Sequence, residues 1–205
     1  MSRRRDLALL LGGAGVSTVG TSFTLMADQD VADLWAFIRT LEPVAQPDQP
    51  HDLDLVARWR FPVRFWRLLF FEEERFQPDP ARDGRWNRGA YLVEALGHCA
   101  ECHTPRNVLG ARDDEMALAG SADGAEGKPV PNITPDPDTG IGKWSEGDIA
   151  FYLETAVDPG GDVAGSLMAE VIENSTRRLS DEDRRAIAAY LKSLPPIRNA
   201  IATKK

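Results

Sequence analysis

The five residues Cys99-Ala100-Glu101-Cys102-His103 decide how the rest of this chain is interpreted. The two thiols are about one helical turn apart, and a histidine follows directly. This spacing is the attachment signature of a c-type haem, in which both sulfurs bond to the porphyrin and the imidazole binds the iron. The motif therefore predicts one covalent haem c, held by Cys99, Cys102 and His103.

Other uses of two neighbouring thiols explain the motif less well. A thioredoxin-like dithiol requires a preceding strand, whereas Gly89–Leu96 is typical of a helix. A structural zinc site needs four ligands, and His98 and His103 directly flank the two thiols. A disulfide across two intervening residues closes almost no loop and would stabilise little. The dithiol stays open as the main alternative.

Composition and charge limit the classes of function. The chain has 205 residues, of which 42% are hydrophobic, so it can bury one good core and a smaller appendage. A net charge of −8 argues against nucleic acid as a partner and suits docking to basic surfaces of redox proteins. Both cysteines belong to the haem motif, which leaves none for a disulfide framework.

The first 27 residues resemble an export signal. Three arginines, Arg3 to Arg5, precede an uncharged stretch that begins at Leu7 and ends at Ala27. The glycines after Leu11 make this stretch a weak membrane span, and no clear cleavage site follows. We expect a periplasmic protein and leave open whether the segment is cleaved or anchors the chain at the inner membrane.

Helical periodicity dominates the C-terminal half. Ser180 to Asp183 resembles a capping box and predicts a helix to about Leu194. Ser145 to Asp148 predicts a second helix, and further helices are expected over residues 88–96 and from about Leu167. No alternating strand pattern is evident. The prediction is an all-α, cytochrome c-like domain of four to five helices over residues 86–197, with a tail at 198–205.

A long irregular segment, 104–143, separates the motif from the helices that follow. It is rich in glycine and proline and has no periodicity, which is unusual inside a compact domain. We interpret it as a loop that wraps the cofactor and closes on it.

An internal repeat lies near the N-terminus. Residues 27–44 align without gaps on residues 180–197, including an acidic start, an aromatic at Phe37 or Tyr190, and a closing proline. No haem motif precedes the first copy. Residues 28–44 are therefore expected to be the remnant last helix of an upstream cytochrome c domain.

Residues 45–85 are predicted to be a linker that packs on the haem domain. The aromatic and basic stretch from Arg58 to Phe71 could instead lie on a membrane surface. Packing with outward-pointing arginines is the favoured interpretation.

Several segments together resemble the cytochrome c subunits of membrane-bound gluconate, alcohol, sorbitol and aldehyde dehydrogenases. The resemblance covers residues 88–197, with its most specific matches at 88–107, 131–136, 139–148 and 168–171. Those relatives carry several haem motifs, whereas this chain carries one. The resemblance implies a flavin- or quinoprotein-type dehydrogenase as partner, a quinone or oxidase as acceptor, and association with a membrane.

The resemblance also implies roles for individual residues. It implies that Met168 is the second axial ligand of the iron, and the position of Met168 after the long loop agrees with an approach from the haem face opposite His103. Alternatively, Met168 simply fills the core. Pro105 is similar to a family proline whose neighbourhood orients the proximal imidazole through a backbone carbonyl. Arg106, Asn132 and Trp144 are candidates to contact the haem propionates, or are ordinary surface and loop residues.

The expected function is periplasmic electron transfer. His103 and Met168 would both stay bound to an iron that alternates between ferric and ferrous states. The sequence has no paired carboxylates or activated nucleophile of a catalytic site, so a carrier subunit is favoured over an enzyme. The alternative is a peroxidase-like or ligand-binding haem protein with an open distal position, and a third reading is a subunit with structural value only.

Overall fold

Helices account for all the regular secondary structure in the part of the chain that we describe. The computed structural model describes residues 23–50, 60–124 and 127–201, and only three isolated bridges pair single residues there. The predicted all-α class is confirmed. None of the described helices is long and apolar enough to cross a membrane. The predicted export signal lies almost entirely outside the described residues.

The chain divides into two compact units, one ending at Arg75 and one beginning at Phe76. The second unit therefore starts before the predicted boundary at residue 86. The first unit contains a short 3₁₀ turn, Phe23–Leu25, and two helices, α1 (Asp28–Ile38) and α2 (Arg60–Phe70). Helix α1 corresponds to the expected helix over 28–44 but ends earlier, while α2 is a helix within the predicted linker.

Five α-helices build the second unit among its described residues. They are α3 (Gly84–Tyr91), α4 (Ala100–His103), α5 (Glu146–Thr155), α6 (Ser166–Asn174) and α7 (Asp181–Ser193). Helix α3 continues into one π-helical turn, Leu92–Leu96, and short 3₁₀ turns lie at Asp114–Met116 and Thr176–Arg178.

Helix starts follow the capping residues. Ser145 and Asp148 form the complete capping box predicted for α5. Ser180 caps α7 through the Asp183 N–H, but the Asp183 carboxylate does not return to Ser180, because it accepts two hydrogen bonds from Arg88. Helix α3 begins before the predicted start at residue 88, since the Asp83 side chain caps it.

Helices α3 and α7 form the centre of the core. A Cβ on Gly89 would lie 2.0 Å from the Ala186 carbonyl oxygen, so the two backbones approach as closely as glycine allows. Tyr190 of α7 packs edge-on against Trp86 of α3, with ring centroids 5.1 Å apart. Tyr91 packs on Phe76, with ring centroids 5.2 Å apart.

Candidate haem-binding site

The two cysteines and His103 lie on one short helical turn after the π-helical turn. The Gly97 N–H reaches back to the Leu92 carbonyl at 2.7 Å, and His98 adopts a positive φ of 38°. This change of direction starts α4, in which the His103 N–H bonds to the Cys99 carbonyl at 3.0 Å. Both thiols are free, and no disulfide joins them.

The His103 ring is held by one backbone carbonyl. Its Nδ1 lies 2.8 Å from the carbonyl oxygen of Pro131, and the residue is 8% exposed. A carbonyl only accepts hydrogen bonds, so Nδ1 carries the proton and the Nε2 lone pair is available to a metal. Burial lowers the pKa of His103, which favours the neutral, metal-binding form.

The proline that supplies this carbonyl differs from the predicted one. The Pro105 carbonyl instead accepts a hydrogen bond from the Asp113 N–H at 2.9 Å. The expectation for the neighbourhood of Pro105 is therefore wrong, because the long loop folds back and brings Pro131 to the ring. Only the folded path of that loop reveals this contact.

The environment of the thiols disfavours the dithiol alternative. Burial raises the pKa of Cys99 to about 12, and burial followed by the Glu101 charge raises the pKa of Cys102. Reactive dithiols need the opposite, a lowered pKa in an electropositive setting. Within the described ranges no three His, Cys, Asp or Glu side chains cluster as a metal site would require, which also disfavours zinc.

Two of the three residues that we predicted to contact the haem propionates make hydrogen bonds within the protein instead. The Arg106 guanidinium pairs with the Glu101 carboxylate and donates to the Gly110 carbonyl at 3.0 Å. A second arginine, Arg112, lies 3.6 Å from the same carboxylate. Arg106 thus stabilises the turn after the motif, and nothing in this geometry directs it to a propionate.

Asn132 is a buried structural residue, 3% exposed. Its amide donates to the Ile197 carbonyl at 2.7 Å and to Thr139 at 3.0 Å. Its oxygen accepts from the N–H and the hydroxyl of Thr134. Both donors and the acceptor are satisfied within the protein, so nothing in this geometry directs Asn132 to a propionate, and that contact stays a prediction.

Trp144 and Met168 are partly buried side chains packed against the hydrophobic core. Trp144 also contacts the Tyr152 ring, at 5.4 Å between centroids. Met168 lies in the first turn of α6, as expected, while Met116 belongs to a 3₁₀ turn in the loop. The proposed roles of Trp144 and Met168 stay predictions.

The residues present fit a haem c. The donor set is two free thiols and an imidazole with its Nε2 available, on the turn that the attachment signature requires. Apolar side chains packed on the same core as Cys99 are left only partly buried, and a planar apolar ring would cover surface of this kind. Besides Cys99, these side chains are Phe76, Trp86, Leu96, Ile133, Trp144, Met168, Leu179 and Leu194.

The sequence-based predictions did not include one polar pair at the edge of the core. The Tyr190 hydroxyl donates to Glu94 Oε1 at 2.9 Å, joining α7 to the π-helical turn before the motif. Burial raises the pKa of Glu94, and the Tyr190 hydrogen bond opposes that rise. A carboxylate inside the apolar run Leu92–Leu96 is the signal that could have found it.

The chain belongs to the cytochrome c family. The family model for cytochrome c matches residues 87–195, more than half of the chain. This membership supports a covalently attached haem c and agrees with the all-helical fold of the second unit.

Curated relatives place the chain more narrowly. It is 47% identical over 182 residues to a diheme cytochrome c-type protein of Cereibacter sphaeroides, covering 86% of this chain and 58% of that protein. It is 39% identical over 176 residues to the fructose dehydrogenase cytochrome subunit of Gluconobacter japonicus, covering 85% of this chain and 36% of that protein. It is 38% identical over 184 residues to the cytochrome c subunit of an alcohol dehydrogenase (quinone) from Komagataeibacter europaeus. This match covers 86% of this chain and 39% of that protein.

The predicted resemblance to dehydrogenase cytochrome subunits is thereby confirmed. The chain spans between 36% and 58% of the length of these three relatives, so a large part of each relative has no counterpart in the matched residues.

Proposed function

We propose that this chain is a single-haem electron carrier of a periplasmic dehydrogenase complex. Cys99 and Cys102 would hold one haem c through thioether bonds, and His103 and Met168 would bind its iron. When bound, the haem supplies an iron that alternates between ferric and ferrous states. The protein residues fix its position and exclude water from it.

The hydrogen bond from His103 Nδ1 to the Pro131 carbonyl is the observation that carries this proposal. It fixes the ring orientation and the tautomer before any metal binds, at 2.8 Å and in a buried setting. A ligand held in this way keeps its geometry in both oxidation states, which limits the reorganisation that electron transfer requires.

The partner and acceptor follow from the relatives and from charge. Relatives named as dehydrogenase cytochrome subunits support a flavin- or quinoprotein-type dehydrogenase as electron donor. A quinone or a terminal oxidase would take the electrons. The net charge of −8 suits transient docking to basic surfaces, and the signal-like residues 1–27 support a periplasmic location.

We also propose that α1 corresponds to the last helix of a cytochrome c domain. Its stripe Leu34, Phe37, Ile38 matches Ile187, Tyr190, Leu191 of α7 in the internal repeat. The α7 residues are buried, whereas all three in α1 are more than 40% exposed. Deleting residues 28–44 should leave the haem absorption spectrum unchanged; a changed spectrum would contradict this assignment.

The axial ligation is tested by Met168→Ala, with Met116→Ala as the matched control. Wild type and the control should show the long-wavelength sulfur-to-iron band of the ferric state, and Met168→Ala should lack it and bind carbon monoxide. If Met168→Ala keeps the band, another methionine is the ligand. Rapid carbon monoxide binding by the wild type would support the open-site alternative instead.

Covalent attachment is tested by haem staining after denaturing electrophoresis. The wild type should keep its haem through denaturation, and the pyridine spectrum should give one haem per chain. Cys99→Ser with Cys102→Ser should lose the stain. Absence of the stain from the denatured wild type would refute the covalent attachment and favour dithiol chemistry.

A further inference from the structure

Helix α2 carries a stripe of bulky apolar side chains that are open to solvent. We call Phe61, Phe65, Leu68 and Leu69 the α2 stripe; they are 75%, 56%, 79% and 55% exposed. Their spacing of i, i+4, i+7 and i+8 places them on one face of the helix. Val63 and Trp66 of the same helix are partly buried, whereas Phe70, outside the stripe, is 38% exposed. A contiguous exposed apolar face of this kind marks a site of interaction.

Basic residues accompany this stripe. Arg64 and Arg67 lie on the neighbouring face of α2, and the Arg67 guanidinium stacks 4.9 Å from the Phe71 ring centroid. Helix α2 itself contains three arginines and no acidic residue, whereas Asp52 and Asp54 precede it and Glu72 to Glu74 follow it. Positive charge therefore lies within the helix, beside the apolar face.

Helix α1 provides an informative contrast. Its exposed apolar residues, Leu34, Phe37 and Ile38, are also bulky, at 48%, 61% and 44% exposure. Its accompanying charges are acidic, however, with Asp28, Asp30 and Asp33 in the first half of the helix. An anionic surface would attract α2 and repel α1.

We propose that α2 binds in the plane of an anionic phospholipid membrane. The α2 stripe enters the boundary between headgroups and acyl chains, and Arg64 and Arg67 reach lipid phosphates. A second copy of α2 is a poorer occupant, because pairing two identical faces brings their arginines together. This inference is independent of the haem ligation proposed above.

A label on the stripe tests the proposal directly. Leu68→Cys carries an environment-sensitive fluorophore, and Phe37→Cys on α1 is the matched control. Thioether-bonded Cys99 and Cys102 do not label, which labelling of the wild type verifies. Phosphatidylcholine vesicles containing phosphatidylglycerol should shift the emission of the Leu68→Cys label to the blue and leave the Phe37→Cys label unchanged. Phosphatidylcholine alone should have a much smaller effect.

Partitioning into the same vesicles measures how strongly each group of side chains contributes to membrane binding. Phe65→Ser with Leu69→Ser should weaken binding at least about tenfold, because two large apolar side chains no longer leave water. Leu34→Ser with Phe37→Ser should change it less than about twofold. Arg64→Gln should weaken it about fivefold and reduce its dependence on salt.

Several results would overturn the proposal. An unshifted Leu68→Cys label would show that the stripe does not enter lipid, even if another segment holds the chain on the vesicle. Equal shifts at both labelled positions would remove the specificity for α2. A shift that grows with protein concentration in the absence of vesicles would assign the stripe to self-association. A shift that requires an added dehydrogenase subunit would assign it to a protein partner.

Discussion

Gly89 at the crossing of α3 and α7 gives the sharpest test of the fold. In Gly89→Ala the new Cβ would lie 2.0 Å from the Ala186 carbonyl oxygen, 2.6 Å from its carbon and 2.9 Å from Tyr190 Cβ. Two of these three atoms belong to the α7 backbone and cannot rotate away. The helices must therefore separate to accommodate a single methyl group.

The expected cost follows from two opposing effects. Overpacking of this severity costs about 3 kcal/mol. Replacing a helical glycine with alanine returns about 1 kcal/mol through backbone entropy. The net loss in the free energy of unfolding is about 2 kcal/mol, which lowers the melting temperature of a domain of this size by about 8 °C.

Urea unfolding followed by far-ultraviolet circular dichroism measures this loss. Gly84→Ala is the matched control, because Gly84 begins the same helix and a Cβ there meets nothing within 4 Å. The control should stay within about 0.5 kcal/mol of the wild type. If Gly89→Ala is as stable as Gly84→Ala, the close packing of α3 on α7 is wrong.

Three further substitutions test polar contacts of the same unit. Tyr190→Phe should cost about 1 kcal/mol at neutral pH, because it leaves the partly buried Glu94 carboxylate without its donor. Burial holds the pKa of Glu94 above its ordinary value, so the loss should be smaller near pH 4, where this carboxyl is protonated, and urea midpoints at the two pH values compare them. Hydrogen bonds from its arginine partner lower the pKa of Asp183, so this ion pair stabilises the fold above the unfolded pKa and is lost as the pH falls through the folded one. Asp183→Asn should remove about 1 kcal/mol at pH 7 and flatten the pH dependence of unfolding below pH 5; an unchanged profile contradicts this. Asn132→Ala should cost about 2–3 kcal/mol by leaving the Ile197 carbonyl without its amide donor, and hydrogen exchange should speed up at the Ile197 amide. Unchanged exchange there would contradict the assignment.

Local signals explain which helices the sequence could predict. Helices α5 and α7 begin at serine caps followed by acidic residues, and both were predicted close to their observed starts. Helix α2 lies in the stretch that we interpreted as a linker, and its sequence contains a proline, Pro62. Pro62 lies in the first turn of the helix, where a missing N–H costs nothing.

The site was predictable only where its residues are adjacent in the sequence. Cys99, Cys102 and His103 lie on one turn because their spacing requires it. Pro131 reaches His103 through a loop whose path has no periodicity. Asn132 was predicted as a propionate contact or a loop residue, and only the structure shows that its amide donates to the Ile197 carbonyl.

Hydrogen bonds of the long loop connect the histidine to residues 197 and 199 near the C-terminus. The Gly120 N–H donates to the His103 carbonyl at 2.6 Å, and the Asn199 amide donates to the Ala119 carbonyl at 3.0 Å. Asn132, next to the carbonyl that orients His103, is held by Ile197. Residue 199, which we predicted to lie in a tail outside the domain, therefore helps to position the loop that holds the imidazole. A substitution in this C-terminal segment should affect the ligand geometry although it lies far from the motif in the sequence.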